Sequence, residues 1–107
     1  MPERGNYRER RGHRREGVDS PMRFSLVETG EIREAVARDL SATGMSIETR
    51  EPVAVGAILD VVVAPLQPAG PPLEAEVEVL RMDSMRDDLF QLGVIIRKLK
   101  QGVLPAG

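Results

Sequence analysis

Arginine is concentrated at the N-terminal end of this 107-residue chain. Residues 1–16 contain six arginines and three glutamates, a net charge of +3, whereas the rest of the chain has nine basic and 14 acidic residues, a net charge of −5. Arg11 and Arg15 form an R-x-x-x-R motif that Arg10 directly precedes. Because a guanidinium group binds phosphate oxygens in bidentate fashion and stacks on flat rings, this segment has the chemistry to bind phosphate groups attached to planar bases.

A second group of polar residues, Asp39-Leu-Ser-Ala-Thr-Gly44, follows the pattern D-x-S-x-x-G and joins two predicted strands. The Asp39 carboxylate can accept hydrogen bonds from guanine N1–H and the N2 amino group, and the Ser41 hydroxyl can donate or accept. We expect Gly44 to give the turn a positive φ angle and to let a flat ligand approach the backbone. Together with Arg11 and Arg15, these residues predict a site for a guanine nucleotide with unshielded phosphates.

Catalytic and metal chemistry find little support in the composition. The chain has no cysteine, which excludes disulfides, thiolate chemistry and cysteine-ligated zinc, and its one histidine, His13, cannot form a multi-histidine site within one chain. The alternating carboxylates of residues 74–78 are typical of a solvated strand face, and no phosphate-binding glycine loop with its lysine is found. We therefore expect no enzymatic activity, no metal and no cofactor.

The apolar pattern also bears on location. No run approaches the roughly 20 apolar residues of a membrane-spanning helix, and the polar N-terminus lacks the core of a signal peptide. We expect a bacterial protein of the cytoplasm that does not associate with membranes.

From Val18 onward the hydrophobic pattern is that of short strands. Residues 73–79 alternate apolar side chains with glutamates, as a half-buried strand requires. Related patterns predict five further strands, over residues 18–27, 32–40, 44–50, 58–64 and 90–96. Turn residues separate them at intervals near the 8–12 residues of antiparallel barrels, and closure removes exposed edges. The sequence predicts an all-β fold, a six-stranded antiparallel β-barrel.

Some details of the barrel follow from the same alternation. We expect a close backbone approach or a bulge at Gly93. The inward-facing side chains should include Ile32, Val36 and Leu40 on one shared face of the second strand, and Met45, Ile47 and Thr49 on the third. The predicted domain organisation is a flexible arginine-rich arm over 1–16, a barrel over 17–99 and a tail over 100–107. Residues 97–107 should form a short C-terminal segment with one helical turn.

At both motifs the sequence resembles the PilZ domain family, the bacterial receptors for cyclic di-GMP. That family has R-x-x-x-R in an N-terminal arm and [D/N]-x-S-x-x-G between the second and third strands of a six-stranded barrel. The resemblance covers residues 8–99. It implies that Arg11 and Arg15 bind the ligand's phosphates and guanine faces, while Asp39 and Ser41 read a guanine edge and Gly44 allows the approach.

The resemblance has implications for two further arginines. Arg10, directly before R-x-x-x-R, implies two mutually stacked ligand molecules, although one molecule per site stays open. Arg81 is the candidate for covering an exposed base, a position that some family members fill with an aromatic residue. Since this chain has three aromatic residues, Tyr7, Phe24 and Phe90, guanidinium stacking would have to replace aromatic rings.

The predicted function is that of a cyclic di-GMP receptor and adaptor. The ligand would neutralise the arginine cluster, order the arm on the barrel and present a new surface to an unidentified protein partner, since a chain this short is expected to lack an output module. Two alternatives remain. The arm could bind a polyanion such as nucleic acid, against which the acidic remainder of the chain argues, or the barrel could bind proteins independently of any ligand.

Overall fold

Six strands form one closed antiparallel barrel in the computed structural model, which describes residues 16–65 and 70–104, with the side chains of residues 19–65 and 70–104. The strands are β1 (Glu16–Leu26), β2 (Ile32–Leu40), β3 (Gly44–Thr49), β4 (Ile58–Val63), β5 (Leu73–Arg86) and β6 (Leu89–Gln101). Their order around the barrel is β1-β2-β3-β6-β5-β4, and β4 pairs with β1 to close it. The predicted fold is confirmed, whereas the predicted arm, up to residue 15, lies outside the described residues.

The last two strands are longer than the sequence pattern predicted. β5 continues to Arg86 and β6 continues to Gln101, and the two strands pair along most of their length. Residues 97–101, where a helical turn was expected, instead continue β6, with Leu99 paired to Ala75. The expectation of a helical turn there is wrong because strand pairing with β5 satisfies the backbone of this segment.

The core consists of the inward-facing side chains of all six strands. In β5 every second residue from Leu73 to Val79 is at most 3% exposed, which confirms the predicted alternation. Met45, Ile47 and Thr49 of β3 also face inward, as predicted. The largest fully buried side chains are Phe24, Leu40, Ile47, Leu59 and Leu92. Burying one such side chain contributes about 1.5–3 kcal/mol, so the barrel is held chiefly by apolar packing.

A β-bulge in β2 changes which residues face the core. Ala37 pairs with Ile47 and Asp39 pairs with Ser46, so Arg38 is an extra residue opposite β3. Arg38 and Asp39 therefore both lie on the outer side, between the fully buried Ala37 and Leu40.

The predicted shared face of β2 is wrong as a result. Leu40 is fully buried, but Ile32 is 68% exposed and Val36 is only half-buried. The one extra residue shifts the alternation between the two halves of the strand, so residues counted in steps of two or four do not keep one face.

A second bulge interrupts β5 at the corresponding height of the barrel. Val79 pairs with Val94 and Arg81 pairs with Gly93, so Leu80 is the extra residue. Val79 is fully buried and Met82 packs against the core, whereas Leu80 and Arg81 are both exposed. Counting by twos from Val79 would place Arg81 inside the barrel, and the bulge places it outside.

Candidate functional site

Four residues form a continuous row across four neighbouring strands. Asp39 of β2 pairs with Ser46 of β3, Ser46 pairs with Gly93 of β6, and Gly93 pairs with Arg81 of β5. Adjacent strands lie about 4.8 Å apart, so the row spans about 14 Å on the outer wall of the barrel. The two bulges flank this row and turn its charged ends, Asp39 and Arg81, outward.

A cleft of about 210 Å³ lies along this row. It is lined by the β2–β3 turn, the start of β3 and the facing parts of β5 and β6, namely Asp39, Leu40, Ser41, Thr43, Gly44, Met45, Ser46, Leu80, Arg81, Gly93, Val94 and Ile95. Of the predicted site residues, Asp39, Ser41, Gly44 and Arg81 are therefore brought together. Arg10, Arg11 and Arg15 lie outside the described residues.

The Ser41 side chain organises the turn between β2 and β3. Its hydroxyl oxygen accepts hydrogen bonds from the backbone N–H groups of Thr43 and Gly44, both at 3.3 Å. The backbone N–H of Ser41 donates to the Gly44 carbonyl at 3.0 Å, which closes the turn. This arrangement is a serine turn, and it fixes the backbone at the edge of the cleft.

Gly44 is needed for a different reason from the one predicted. Among the described residues, positive φ angles occur at Gly30, Gly56 and Gly102, so the expectation of a positive φ at Gly44 is wrong. A Cβ atom at Gly44 would lie 2.3 Å from the backbone carbonyl oxygen of Val94. Glycine is therefore required because β3 and β6 approach each other too closely for any side chain there.

Gly93 provides the space that the Arg81 side chain occupies. A Cβ atom at Gly93 would lie 3.1 Å from Cζ and 3.2 Å from Cγ of Arg81, so the guanidinium group lies across the glycine. This confirms the close approach predicted at Gly93, with a bulge on the facing strand. Arg81 Nε also donates to an Asp83 carboxylate oxygen at 3.3 Å, an exposed pair. Such pairs are worth about 0–1 kcal/mol, so an anionic ligand could replace Asp83 at small cost.

The start of β1 lies beside the same turn. Glu16 pairs with Leu40 and Gly17 pairs with Asp39, so the chain enters the barrel next to the D-x-S-x-x-G motif. The residue before β1 is Arg15, the second arginine of R-x-x-x-R. The register thus places Glu16, the residue directly after the R-x-x-x-R motif, beside Leu40 of the D-x-S-x-x-G motif.

Two ion pairs involve Arg38 on the outer surface of the barrel. The guanidinium of Arg38, the extra residue of the β2 bulge, lies 3.2 Å from an Asp19 oxygen and 3.6 Å from a Glu48 oxygen.

Among the residues that the structure describes, no group of three or more histidines, cysteines or acidic residues is arranged to hold a metal ion. The described part of the chain also contains no helix long and apolar enough to cross a membrane.

Two residues of the row were not identified as site residues from the sequence. Ser46 is two residues beyond the D-x-S-x-x-G motif, and strand alternation alone places it on the outer face of β3. Its position beside Asp39 depends on the register between β2 and β3. For Gly93 the sequence predicts only a close approach or a bulge. Its partner, Arg81, depends on the register between β5 and β6.

One family model matches most of the chain, and solved structures share its fold. The sequence matches the PilZ domain family over residues 9–102. The barrel is similar to the inhibitor of motility MotI/DgrA of Bacillus subtilis, with a TM-score of 0.67, 13% identity and coverage of 83% of this chain and 43% of that protein. It is also similar to the PilZ domain of YcgR from Escherichia coli, solved with c-di-GMP, with a TM-score of 0.64, 12% identity and coverage of 82% and 78%.

The two similar structures differ in the share of their own chain that matches this one. The chain spans less than half of the Bacillus subtilis protein but most of the Escherichia coli domain, and at such identities both structures show the shared fold alone. No curated protein sequence matches the chain.

Proposed function

Because the chain belongs to the PilZ domain family, we propose that it is a receptor for cyclic di-GMP and not an enzyme. The observation that carries the proposal is the register at the start of β1, which brings the chain from the R-x-x-x-R motif into the barrel beside Asp39. Phosphate-binding arginines and a guanine-reading carboxylate would then meet at one cleft. The solved complex of the YcgR domain with c-di-GMP supports this choice of ligand.

In the proposed complex each site residue has a distinct role. Arg11 and Arg15 bind the phosphates and cover the guanine faces, because guanidinium groups suit both tasks. The Asp39 carboxylate accepts from a guanine edge. Ser41, expected from the resemblance to read the same edge, uses its hydroxyl within the turn and instead holds Asp39 in place, and Gly44 lets β3 approach β6 beside the ligand. Arg81 stacks on the exposed base from the far side of the cleft, and Arg10 supports a second, stacked ligand molecule.

The proposed signal is the ordering of the N-terminal arm. Six arginines in residues 1–16 repel one another, and the ligand's two phosphates would neutralise part of that charge. The arm would then close over the cleft and form a new surface together with the β2–β3 turn. A protein partner in the bacterial cytoplasm would recognise this surface, so the receptor acts as an adaptor. In domain terms, residues 1–16 are the responsive arm, 17–99 the barrel and 100–107 a tail.

Isothermal titration with cyclic di-GMP tests the site directly. The intact protein should bind, and the variants Arg11→Ala, Arg15→Ala and Asp39→Ala should each lose most of the affinity. Arg50→Ala is a matched control, because Arg50 is exposed, pairs with Asp88 and does not line the cleft. Equal binding by the arm variants and the intact protein would reject the site assignment.

Two further measurements separate the alternatives. Amide hydrogen exchange should show protection of residues 1–16 and of the β2–β3 turn when cyclic di-GMP is added, whereas a ligand-independent interaction barrel would show no change. A gel-shift with generic DNA or RNA distinguishes a polyanion binder. Strong, salt-sensitive retardation without any response to cyclic di-GMP would favour nucleic acid.

A further inference from the structure

Ser46 lies inside the cross-strand row but outside both sequence motifs. Its neighbours Met45 and Ile47 face the core, so the Ser46 side chain belongs to the outer face of β3. It is nevertheless only 5% exposed, and it lines the cleft. The hydroxyl is therefore at the floor of the cleft and not on open surface.

The Ser46 hydroxyl has no hydrogen-bond partner within residues 16–65 and 70–104. Ser41, by contrast, uses its hydroxyl to accept from two backbone N–H groups of its own turn. A buried hydroxyl without a partner destabilises the folded protein, because it has lost its hydrogen bonds to water. A ligand in the cleft would supply a partner that the described residues do not.

The neighbours of Ser46 along the row limit what that ligand group can be. The Asp39 carboxylate only accepts hydrogen bonds, whereas the Ser46 hydroxyl can also donate. Side chains directly opposite on paired strands have Cβ atoms about 4.5–5.5 Å apart, so the two groups can reach adjacent atoms of one base. Gly93, on the other side of Ser46, has no side chain to fill the intervening space.

Guanine presents a matching set of atoms on a single edge. Its N1–H and N2 amino group donate, and its O6 acceptor is directly beside N1. Adenine carries an amino group in place of O6 and has no hydrogen on N1. Both oxygens of the Asp39 carboxylate can accept, one from N1–H and one from the N2 amino group, while the Ser46 hydroxyl donates to O6. Adenine presents a single donor, its N6 amino group, on this edge and cannot satisfy both carboxylate oxygens.

We propose that Ser46 is a further ligand-binding residue that determines base specificity: its hydroxyl donates to O6 of the guanine whose N1–H and N2 amino group bind Asp39. This assignment rests on the proposed function of the cleft. Ser46 would contribute to recognition of the base, whereas Ser41 shapes the turn that holds Asp39.

The test compares Ser46→Ala with Thr49→Val, a matched control on the same strand. Thr49 is 3% exposed but faces the core and does not line the cleft. By isothermal titration, Ser46→Ala should bind cyclic di-GMP about tenfold more weakly, as expected for one lost hydrogen bond, and Thr49→Val should bind as tightly as the intact protein. The melting temperature of Ser46→Ala without ligand should be unchanged or higher, because the substitution removes no hydrogen bond within residues 16–65 and 70–104. If Ser46→Ala does not fold, the test uses Ser46→Cys, whose thiol is similar in size to the hydroxyl but a weak hydrogen-bond donor.

Base analogues identify the atom involved. The tenfold ratio between intact protein and Ser46→Ala should persist with cyclic di-IMP, which keeps O6 and lacks the N2 amino group. It should vanish with the cyclic dinucleotide of 2-aminopurine, which lacks O6. Equal affinity of the intact protein and Ser46→Ala for cyclic di-GMP would overturn this inference but not the proposed function. A tenfold ratio that persists with the 2-aminopurine analogue would do the same. If the intact protein does not bind cyclic di-GMP, the proposed function fails and the inference fails with it.

Discussion

The guanidinium group of Arg81 lies where a side chain at Gly93 would begin. The two residues are paired across β5 and β6, and an ideal Cβ atom at Gly93 would be 3.1 Å from Arg81 Cζ. The absence of one side chain therefore sets the position of another. Because the bulge at Leu80 turns Arg81 outward, Gly93 and the bulge together hold this guanidinium against the outer wall of the cleft.

Gly93→Ala should displace Arg81 without unfolding the barrel. The new methyl group meets Cγ and the guanidinium group of the flexible Arg81 side chain, which can move by a few tenths of an ångström, so the loss of stability should stay below about 1.5 kcal/mol. Cyclic di-GMP affinity should fall to that of Arg81→Ala. Titration of both single variants and of the double variant checks this coupling, since strictly additive losses would mean that Gly93 does not act through Arg81.

Gly44→Ala should destabilise the barrel itself. The methyl group would meet the Val94 carbonyl oxygen, a backbone atom that moves only with β6, so we expect a loss of about 1–3 kcal/mol in urea unfolding together with weaker ligand binding. Gly30→Ala is the control. It has a φ of 78° with nothing within 4 Å of a Cβ atom, and it should lower stability by about 1 kcal/mol but leave ligand affinity intact. Wild-type stability in Gly44→Ala would contradict the close approach.

Arg10→Ala should change how many ligand molecules bind. Two mutually stacked molecules present four phosphates, and loss of the arginine before R-x-x-x-R removes one of the positive charges that hold the second molecule. Native mass spectrometry should record two molecules on the intact protein and one on the variant. Arg4→Ala removes an equal charge from the same arm outside the motif and should keep two. Two molecules on Arg10→Ala would rule out this role.

The ion pair of Lys100 predicts a pH dependence of stability. Its ammonium donates to an Asp60 oxygen at 2.8 Å, and this hydrogen bond, with the nearby carboxylates, raises the pKa of Lys100 above its usual value. A raised pKa stabilises the folded state below the ordinary lysine pKa, and this stabilisation is lost as the pH rises through the folded value. The melting temperatures of wild type and Lys100→Gln should thus converge above about pH 10.5.

Salt is the control for this prediction. Because the pair is exposed, the difference between wild type and Lys100→Gln should be small, and 1 M salt should largely remove it. A difference that stays constant from pH 7 to pH 11.5 would show that charge is not its cause.

The barrel could be predicted because most strands alternate regularly. In β5 the glutamates fall between apolar residues as far as Val79. This pattern alone predicts that the segment is a strand and which of its side chains face the core. Beyond Val79 the alternation gives no warning of the bulge, since the extra residue, Leu80, is apolar and exposed. The bulge at Arg38 is equally invisible in the sequence pattern. Without it, Ile32 and Leu40 would lie on one face of β2.

The candidate site was only partly predictable for a related reason. Asp39, Ser41 and Gly44 could be selected because their spacing is local, within one turn. The actual constraint on Gly44 depends on Val94, 50 residues later in the chain, and no local pattern encodes that approach. Ser46 was missed because its importance comes from its pairing with Asp39 and Gly93, which requires the register of three strands.

The polar groups of the cleft project from the outside of the closed barrel, while the interior is filled by apolar side chains that do not depend on them. Exchanging Asp39, Ser46 or Arg81 should therefore alter what the domain recognises without compromising how it folds. Such a scaffold can acquire, change or lose a signalling molecule in few substitutions. It is accordingly a practical starting point for engineering sensors of other cyclic dinucleotides.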